Sequence, residues 1–231
     1  MEHKKEKILQ RFQKSRTALK SYCEGREYTK VLEAMTFAEK YHTGTRKDKI
    51  TPEFQHQIDI ALYATTLVGL TKQDESILLQ VILLHDVVED YNVSLSEIEQ
   101  RFGPTVTEAV EIISKKIDGH KKPMELYMHE CANNLYAALA KGCDRINNVQ
   151  SMPVAFTFEK MGSYGQEVKT FFLPMLRQAR DQFPQYRKAF KNISHMLQSQ
   201  VAWVDLLLES RSALEAELQK SSLPSQESLG L

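Results

Sequence analysis

The sequence predicts an all-α protein whose helices form a single bundle, and three observations support this fold class. Only 9 of the 231 residues are Gly and 7 are Pro, so few positions interrupt regular structure. Apolar residues recur at helical spacing along most of the chain, and strand-like alternation is hard to find. Hydrophobic residues make up 42% and charged residues 26%, the usual balance of a globular protein that buries a core.

The first helices are predicted over about residues 4–23 and 29–41, and a polar, basic loop follows over 42–50. Thr51-Pro52 is expected to open the third helix, with Thr as the N-cap and Pro at the first helical position. Gly69 is expected to end that helix.

A fourth helix is predicted over about residues 73–91. Its centre, residues 77–84, is almost wholly apolar, which predicts a buried central helix. The sequence from Ser94 to Glu97 is a capping-box pattern and predicts a short fifth helix that ends at Gly103.

The second half of the chain is predicted to be helical as well. Pro104 is expected to start a sixth helix, residues 118–123 to form a basic loop, and residues 151–165 to be irregular. The remaining helices are predicted over residues 124–148, 166–182 and 185–220.

The last of these helices carries an apolar stripe. Its members are Tyr186, Phe190, Ile193, Leu197, Val201 and Val204. Such a stripe must be buried. We favour packing on the protein's own bundle, and self-association into a homodimer is the alternative.

We therefore expect one domain over residues 1–220, with a core at about 27–152 and C-terminal helices over 166–220. The Ser-rich residues 221–231 are predicted to be a disordered tail.

Composition excludes several functional classes. Lys plus Arg and Asp plus Glu both number 30, so no overall charge favours nucleic acid or an anionic membrane. No apolar run approaches the roughly 18–20 residues that cross a bilayer, and the charged N-terminus precedes no apolar signal core. The cysteines, Cys23, Cys131 and Cys143, are typical of buried thiols in a reducing compartment, so a cytoplasmic location is expected.

The most informative segment places four polar residues, His85, Asp86, Glu89 and Asp90, at the end of the apolar fourth helix. Their spacings of three and four residues place them on shared helix faces. Burying these groups together is costly unless a cation compensates, and a divalent metal ion is the usual one. A solvated helix end is the alternative interpretation, but anions at a helix C-terminus face the unfavourable end of the dipole.

Two further residues can complete a metal site. His56 lies on the third helix and Asp144 lies late in the seventh, and with His85 and Asp86 they form a set of two imidazoles and two carboxylates. Taken singly, a helical His is usually not a ligand, and an Asp beside an Arg is usually an ion pair. The mixed set suits Mn, Fe, Co or Zn better than Mg or Ca.

These residues, in this order, resemble the HD superfamily. More specifically, the chain is similar to the hydrolase domain of the bifunctional RelA/SpoT enzymes and to small stand-alone alarmone hydrolases. The matching pieces are residues 37–42, 46–47, 56, 83–90, 102–106, 141, 144–145 and 148. The resemblance covers residues 31–152 and implies an HD-type helical bundle with a C-terminal helical extension.

The resemblance also implies roles for individual residues. His56, His85, Asp86 and Asp144 match the metal ligands of one divalent ion, with Mn²⁺ the usual ion in the family. Glu89 and Asp90 match the acidic pair that activates the attacking water. Arg46 and Lys47 match the basic pair that contacts the nucleotide, and Asn148 and Ser151 match positions that line its pocket.

The chain departs from the family pattern at three places. The family often has a Gly-x-Pro-Tyr stretch where residues 49–54 stand here, and a Pro where Gln57 follows His56. Asn147 stands where many members have His. Beyond Met152, Tyr164 has a place comparable to that in some small HD proteins and could stack on a base, although an aromatic there is more often part of the core.

The function implied is removal of the 3′-pyrophosphate from alarmone nucleotides of the (p)ppGpp kind, giving GDP or GTP and pyrophosphate. The expected partner is thus a small nucleotide substrate, and neither nucleic acid nor membrane is expected. Two alternatives remain: another nucleotide phosphohydrolase such as a 5′-nucleotidase, and a non-catalytic nucleotide sensor or antitoxin-like partner.

Overall fold

The computed structural model describes residues 2–117 and 119–222. The helices, in chain order, are α1 (Glu2–Gly25), α2 (Thr29–Glu39), α3 (Gln55–Ala64), α4 (Lys72–Leu84), α5 (Val87–Tyr91), α6 (Leu95–Phe102), α7 (Pro104–Ile113), α8 (Met124–Ala132), α9 (Leu135–Ala155), α10 (Phe158–Glu167), α11 (Leu173–Gln182) and α12 (Arg187–Ser222). A hairpin of two-residue strands, β1 (Lys116–Ile117) and β2 (His120–Lys121), precedes α8. The predicted all-α class is confirmed.

Helix α4 is the buried central helix that the apolar run predicts. Leu78, Leu79 and Leu83 are completely buried, and α2, α3, α7 and α9 pack around the helix. Thr71 and Asp74 form a reciprocal capping box at its start, which satisfies backbone N–H groups that have no partner within the helix. The central helix therefore provides a rigid floor for the residues at its C-terminal end.

The prediction of one continuous helix over 73–91 is wrong, because the chain breaks at His85 and Asp86. Helix α4 ends at Leu84, and α5 begins at Val87 with Asp86 as its N-cap. Glu89 and Asp90 therefore lie in the first turn of a new helix. Carboxylates are stabilised at the N-terminal end of a helix dipole. The two acids are therefore not at the unfavourable helix C-terminus that the sequence suggested.

The third helix begins later than predicted. Thr51 does not cap it, because the Thr51 hydroxyl and backbone N–H both bond to Asp48 in the preceding loop. Helix α3 starts at Gln55 and ends at Ala64, well before Gly69. The predicted loop over residues 42–50 is confirmed.

The predicted helix over 124–148 is two helices, since the chain turns at Asn133 and Asn134. The Asn134 side chain accepts hydrogen bonds from the N–H groups of Tyr136 and Ala137 and so caps α9. Within the segment predicted as a basic loop, 118–123, His120 and Lys121 instead form β2 of the hairpin, and residue 118 lies outside the described part of the chain.

The prediction of irregular structure over 151–165 is also wrong. Helix α9 continues to Ala155 with Pro153 in its last turn, and α10 begins at Phe158 with Thr157 as its N-cap. The helix predicted over 166–182 is interrupted by a π-helical turn at Val168–Phe172. Helices predicted to start after Ser94 and at Pro104 are confirmed.

The C-terminal helices share one hydrophobic core with the rest of the bundle, and this core extends from Phe12 to Val204. In α12, Phe190, Ile193 and Leu197 are completely buried. A Cβ atom at Gly142 of α9 would lie 2.7 Å from Cγ2 of Ile193, so the two helices approach closely at a glycine. The apolar stripe thus packs on the protein's own bundle, which is the arrangement we expected in preference to self-association.

Of the predicted tail, residues 221 and 222 are helical, and residues 223–231 lie outside the described part of the chain. Within the described residues, none of the helices combines the length and apolar character that crossing a membrane requires. Cys23, Cys131 and Cys143 are free and buried, as predicted.

Candidate metal centre and nucleotide pocket

Four side chains from three parts of the bundle meet at the C-terminal end of α4. His56 lies on α3, His85 and Asp86 lie at the break between α4 and α5, and Asp144 lies on α9. His56, His85 and Asp86 each offer one nitrogen or oxygen atom that lies within 4.8 Å of the other two. His56 Nε2 is 3.1 Å from Asp144 Oδ1, and His85 Nε2 is 3.1 Å from Asp86 Oδ1. The structure thus brings together all four residues predicted as ligands.

Both imidazoles are oriented through their Nδ1 atoms. His56 Nδ1 is 2.7 Å from Oδ1 of Asn147, and His85 Nδ1 is 2.7 Å from the backbone carbonyl oxygen of Ile82. Both partners accept a hydrogen bond, so each imidazole carries its proton on Nδ1. The Nε2 lone pairs are then free to bind an ion, which is the arrangement found around metal-ligating histidines.

Each carboxylate of the cluster accepts at least one hydrogen bond from a neighbouring side chain. The Gln57 amide donates to Asp86 Oδ2 at 2.9 Å, and the Lys141 ammonium donates to Asp144 Oδ2 at 2.9 Å. Burial alone would raise the pKa of Asp144, but Lys141 and His56 outweigh it and hold that pKa well below its usual range. Asp144 is therefore ionised at any physiological pH, as a metal ligand must be.

The acidic pair predicted to act on water lies beside this cluster, on α5. Glu89 accepts a hydrogen bond from the backbone N–H of Lys115 at 2.8 Å. Asp90 is exposed, yet partial burial and the carboxylates of Asp86 and Glu89 raise its pKa to about 6. Neither residue lines the adjoining cavity, and their catalytic roles stay predictions.

A cavity of about 620 Å³ opens next to the cluster. Its lining contains His56 and Asp86 of the cluster. It also contains all five residues predicted to bind the nucleotide, namely Arg46, Lys47, Asn148, Ser151 and Tyr164. Asn148 connects cavity and cluster, because its side-chain amide donates to Asp144 Oδ1 at 2.6 Å.

The loop that carries Arg46 and Lys47 has a defined shape. The Arg46 N–H donates to the Thr51 carbonyl at 2.8 Å, and Lys49 adopts a left-handed conformation with φ of 60°. Asp48 receives N–H bonds from Ile50 and Thr51. Burial would raise the pKa of Asp48, but the hydrogen bond from the Thr51 hydroxyl, together with these N–H bonds, outweighs it and lowers that pKa. The loop thus holds two cations at the cavity without a close acidic partner for either in the described structure.

An aromatic pair forms part of the cavity wall. Phe156 and Tyr164 contact each other edge to face, with ring centroids 4.9 Å apart. Lys47 Nζ lies 4.6 Å and Lys160 Nζ 4.4 Å from the Phe156 ring centroid. Tyr164 is half-buried and also contacts Arg145, so it belongs both to the core and to the cavity wall.

Sequence reasoning assigned no role to four residues that contact the site. Lys141 had a detectable signal, since it precedes Asp144 by one helical turn. Gln57 and Asn147 were noted only as departures from the family pattern, and Phe156 lies in a segment predicted to be irregular. Their contacts join distant parts of the chain, so local sequence does not indicate them.

Three helices that deliver a His, a His-Asp pair and an Asp to one buried point define a protein of the HD class. The sequence profile of the HD domain matches residues 34–124. The mouse guanosine-3′,5′-bis(diphosphate) 3′-pyrophosphohydrolase MESH1 is 33% identical over 135 residues, which cover 55% of this chain and 72% of that protein. The chain belongs to the HD-domain family that includes the MESH1 proteins.

Other relatives agree with this assignment. Human MESH1 is 31% identical over 135 residues, covering 55% of this chain and 72% of that protein. A guanosine-3′,5′-bis(diphosphate) 3′-pyrophosphohydrolase of Aquifex aeolicus is 30% identical over 147 residues, covering 62% of this chain and 20% of the longer enzyme. A solved structure, described as a metazoan ortholog of SpoT that hydrolyzes ppGpp, shares the fold. Its TM-score is 0.57 at 24% identity, covering 75% of this chain and 94% of that one.

Proposed function

We propose that this protein is a metal-dependent hydrolase that removes the 3′-pyrophosphate from guanosine 3′,5′-bis(diphosphate) and related alarmones. The products are GDP or GTP and pyrophosphate. The observation that carries the proposal is the four-residue cluster of His56, His85, Asp86 and Asp144 at the end of a nucleotide-sized cavity. The relatives named for this activity supply the substrate class.

The donor set fits a divalent ion. Two neutral imidazoles and two carboxylates, each oriented by a hydrogen-bond partner, are typical ligands for first-row transition metals. Mn²⁺ is the ion we propose, because carboxylate-rich sites suit it and it is usual in the family that the sequence resembles. When bound, such an ion supplies Lewis acidity to the phosphoryl group and favours the ionised form of water at neutral pH.

Glu89 is proposed as the residue that accepts the proton of the attacking water. The backbone N–H of Lys115 fixes one of its carboxylate oxygens at 2.8 Å and leaves the other available. Asp90, whose pKa is raised to about 6, is suited to exchange protons near neutral pH. The two acids therefore have different tasks, with Glu89 orienting water and Asp90 assisting proton transfer.

The nucleotide is proposed to occupy the cavity, whose volume of about 620 Å³ lies in the usual range for small-molecule sites. Arg46 and Lys47 face the phosphates, with Arg suited to a bidentate grip. The base stacks on the wall that Phe156 and Tyr164 form, and Ser151 and Asn148 offer polar groups to its edge. Lys160 adds a third cation at this wall.

The test measures pyrophosphate release from ppGpp with added Mn²⁺, and orthophosphate release from a panel that includes nucleoside 5′-monophosphates. Glu89→Gln should retain metal and fold but lose turnover by a factor of about 10² or more, as expected for a lost general base. Release of orthophosphate from the monophosphates, without release of pyrophosphate from ppGpp, would refute the substrate assignment. Full turnover by Glu89→Gln would refute the role of Glu89.

Two further proposals concern the protein as a whole. Trp203, Leu206 and Leu207 are exposed on α12, with 72%, 51% and 44% of their surface accessible, and this apolar face favours a homodimer. Light scattering on the wild type and on Trp203→Glu tests it, since a monomeric wild type would contradict it. The free buried thiols favour a cytoplasmic location, which localisation of a tagged chain would check.

A further inference from the structure

We propose that Gln57 and Asn147 are positioning residues of the metal centre. The Gln57 amide holds Asp86, and the Asn147 amide holds His56, in the orientations that bind a divalent ion. The inference rests on the proposed metal site. It concerns two positions at which this chain departs from the pattern of the family it resembles, so the support it describes belongs to this chain.

Gln57 is fully buried beside a ligand, with 1% of its surface accessible. Its Nε2 donates to Asp86 Oδ2 at 2.9 Å, while Asp86 Oδ1 lies 3.1 Å from Nε2 of His85. One carboxylate oxygen is thereby occupied and the other is directed at the cluster. Gln57 thus allows Asp86 to bind an ion through a single oxygen.

The carbonyl oxygen of the Gln57 side-chain amide indicates why a glutamine is present at this position. Its Oε1 is buried without a hydrogen-bond partner in the described structure, and such an atom costs about 1–3 kcal/mol. A buried amide that destabilises the fold in this way is typical of a functional contact rather than of core packing. The contact that remains is the one to Asp86.

Asn147 supports the opposite side of the cluster. Its Oδ1 lies 2.7 Å from His56 Nδ1, and the two residues are 91 positions apart in the sequence. A neutral amide oxygen accepts a hydrogen bond, so the His56 proton stays on Nδ1 and Nε2 faces Asp144 at 3.1 Å. The bond also ties α9 to α3, which fixes the separation of two ligands.

Gln57 and Asn147 complete a set in which every proposed ligand has at least one supporting partner. Asp144 has Lys141 and His85 has the backbone carbonyl of Ile82. Loss of such a partner typically weakens metal binding or activity by 10-fold to 100-fold. Both amides are therefore expected to contribute to ion affinity before any substrate binds.

The experiment measures Mn²⁺ affinity of the full chain without nucleotide, by calorimetry, for the wild type, Gln57→Met and Asn147→Leu. Both substitutions keep side-chain size and remove the hydrogen bond, and each should weaken Mn²⁺ binding by about 10-fold to 100-fold. Gln80→Met is the matched control. Gln80 is also buried, but it bonds to the Ser76 carbonyl on α4 and touches no ligand, so its Mn²⁺ affinity should equal that of the wild type.

Two further variants separate the amide contact from effects on folding. Gln57→Pro places the residue usual in the family in the first turn of α3, where a proline is tolerated, and it should weaken Mn²⁺ binding as Gln57→Met does. Asn147→His restores a side chain that can accept a hydrogen bond from His56 Nδ1–H. The Mn²⁺ affinity of Asn147→His should therefore exceed that of Asn147→Leu. Melting temperatures of the metal-free variants identify any variant that is not folded.

Unchanged Mn²⁺ affinity in Gln57→Met, Gln57→Pro and Asn147→Leu, beside a wild type that binds the ion, overturns this inference alone. A wild type that binds Mn²⁺ but does not hydrolyse ppGpp overturns the proposed substrate and leaves this inference standing. A wild type that binds no divalent ion overturns both. Equal weakening in the Gln80→Met control also overturns it, since the loss then follows from any buried glutamine.

Discussion

Removal of helix α12 is expected to unfold the protein, although every predicted ligand and catalytic residue precedes position 152. Truncation after residue 184 removes Phe190, Ile193 and Leu197, which are completely buried, and Val201 and Val204, which are more than nine-tenths buried. Burial of each such side chain contributes roughly 1.5–3 kcal/mol. The sum, about 8–15 kcal/mol, is comparable to the roughly 5–15 kcal/mol of stability that a whole domain has.

The assay is thermal melting followed by circular dichroism, with Mn²⁺ affinity as a second measurement. A chain that ends at residue 208 is the matched control. Of the residues that it loses, 209–219 have described side chains and almost all of them are exposed, so its melting temperature should equal that of the full chain. The chain of residues 1–184 should show no cooperative transition and should expose apolar surface to a dye such as ANS.

A 1–184 chain that melts cooperatively at the wild-type temperature would refute this reasoning. In that case the C-terminal helices would be a separable appendage, and the proposal of one domain over residues 1–220 would fail. A loss of stability in the control that ends at residue 208 would instead show that the exposed end of α12 is covered in solution, as in a dimer.

Two other perturbations test the pocket and the acidic pair. Phe156→Ala should raise KM for ppGpp by about 10-fold with little change in kcat, because base stacking on an aromatic ring contributes about 1–3 kcal/mol, and an unchanged KM would contradict the assigned wall. Asp90 has a pKa raised to about 6 in the folded protein, so its contribution to stability is present below pH 4 and is lost as the pH rises through 6. Asp90→Asn should therefore stabilise the metal-free protein at pH 7.5 by roughly 1 kcal/mol, after allowance for solvent screening, and should do so much less at pH 4.5. Equal melting temperatures of Asp90→Asn and wild type at pH 7.5 would show that the carboxylates do not repel each other.

The sequence predicted most helices because their ends carry local signals. Ser94 caps α6, and the glycine-proline pair at positions 103 and 104 separates α6 from α7. The break at His85 and Asp86 carries no such signal, because apolar periodicity and helix-compatible residues continue on both sides of it. Tertiary contacts decide that break, since the two side chains must turn toward His56.

The candidate site could be predicted where a short sequence motif has one common function. A His-Asp pair after an apolar helix is such a case, and the structure brings it together with His56 and Asp144. The residues around them were not predictable, because an amide such as Gln57 or Asn147 is common everywhere in proteins. Only the folded arrangement of α3 and α9 shows which amide contacts a ligand.

The position of Lys141 affects the charge balance of the centre when no metal ion is bound. It is largely buried, with 17% of its side chain accessible, and its ammonium lies 2.9 Å from Asp144. Attraction to Asp144 outweighs burial and holds the pKa of Lys141 well above its usual range. Lys141 therefore provides a built-in counter-charge for Asp144, so this buried carboxylate is balanced without an ion. We therefore expect the ion-free protein to remain folded and to bind an ion again when one is supplied.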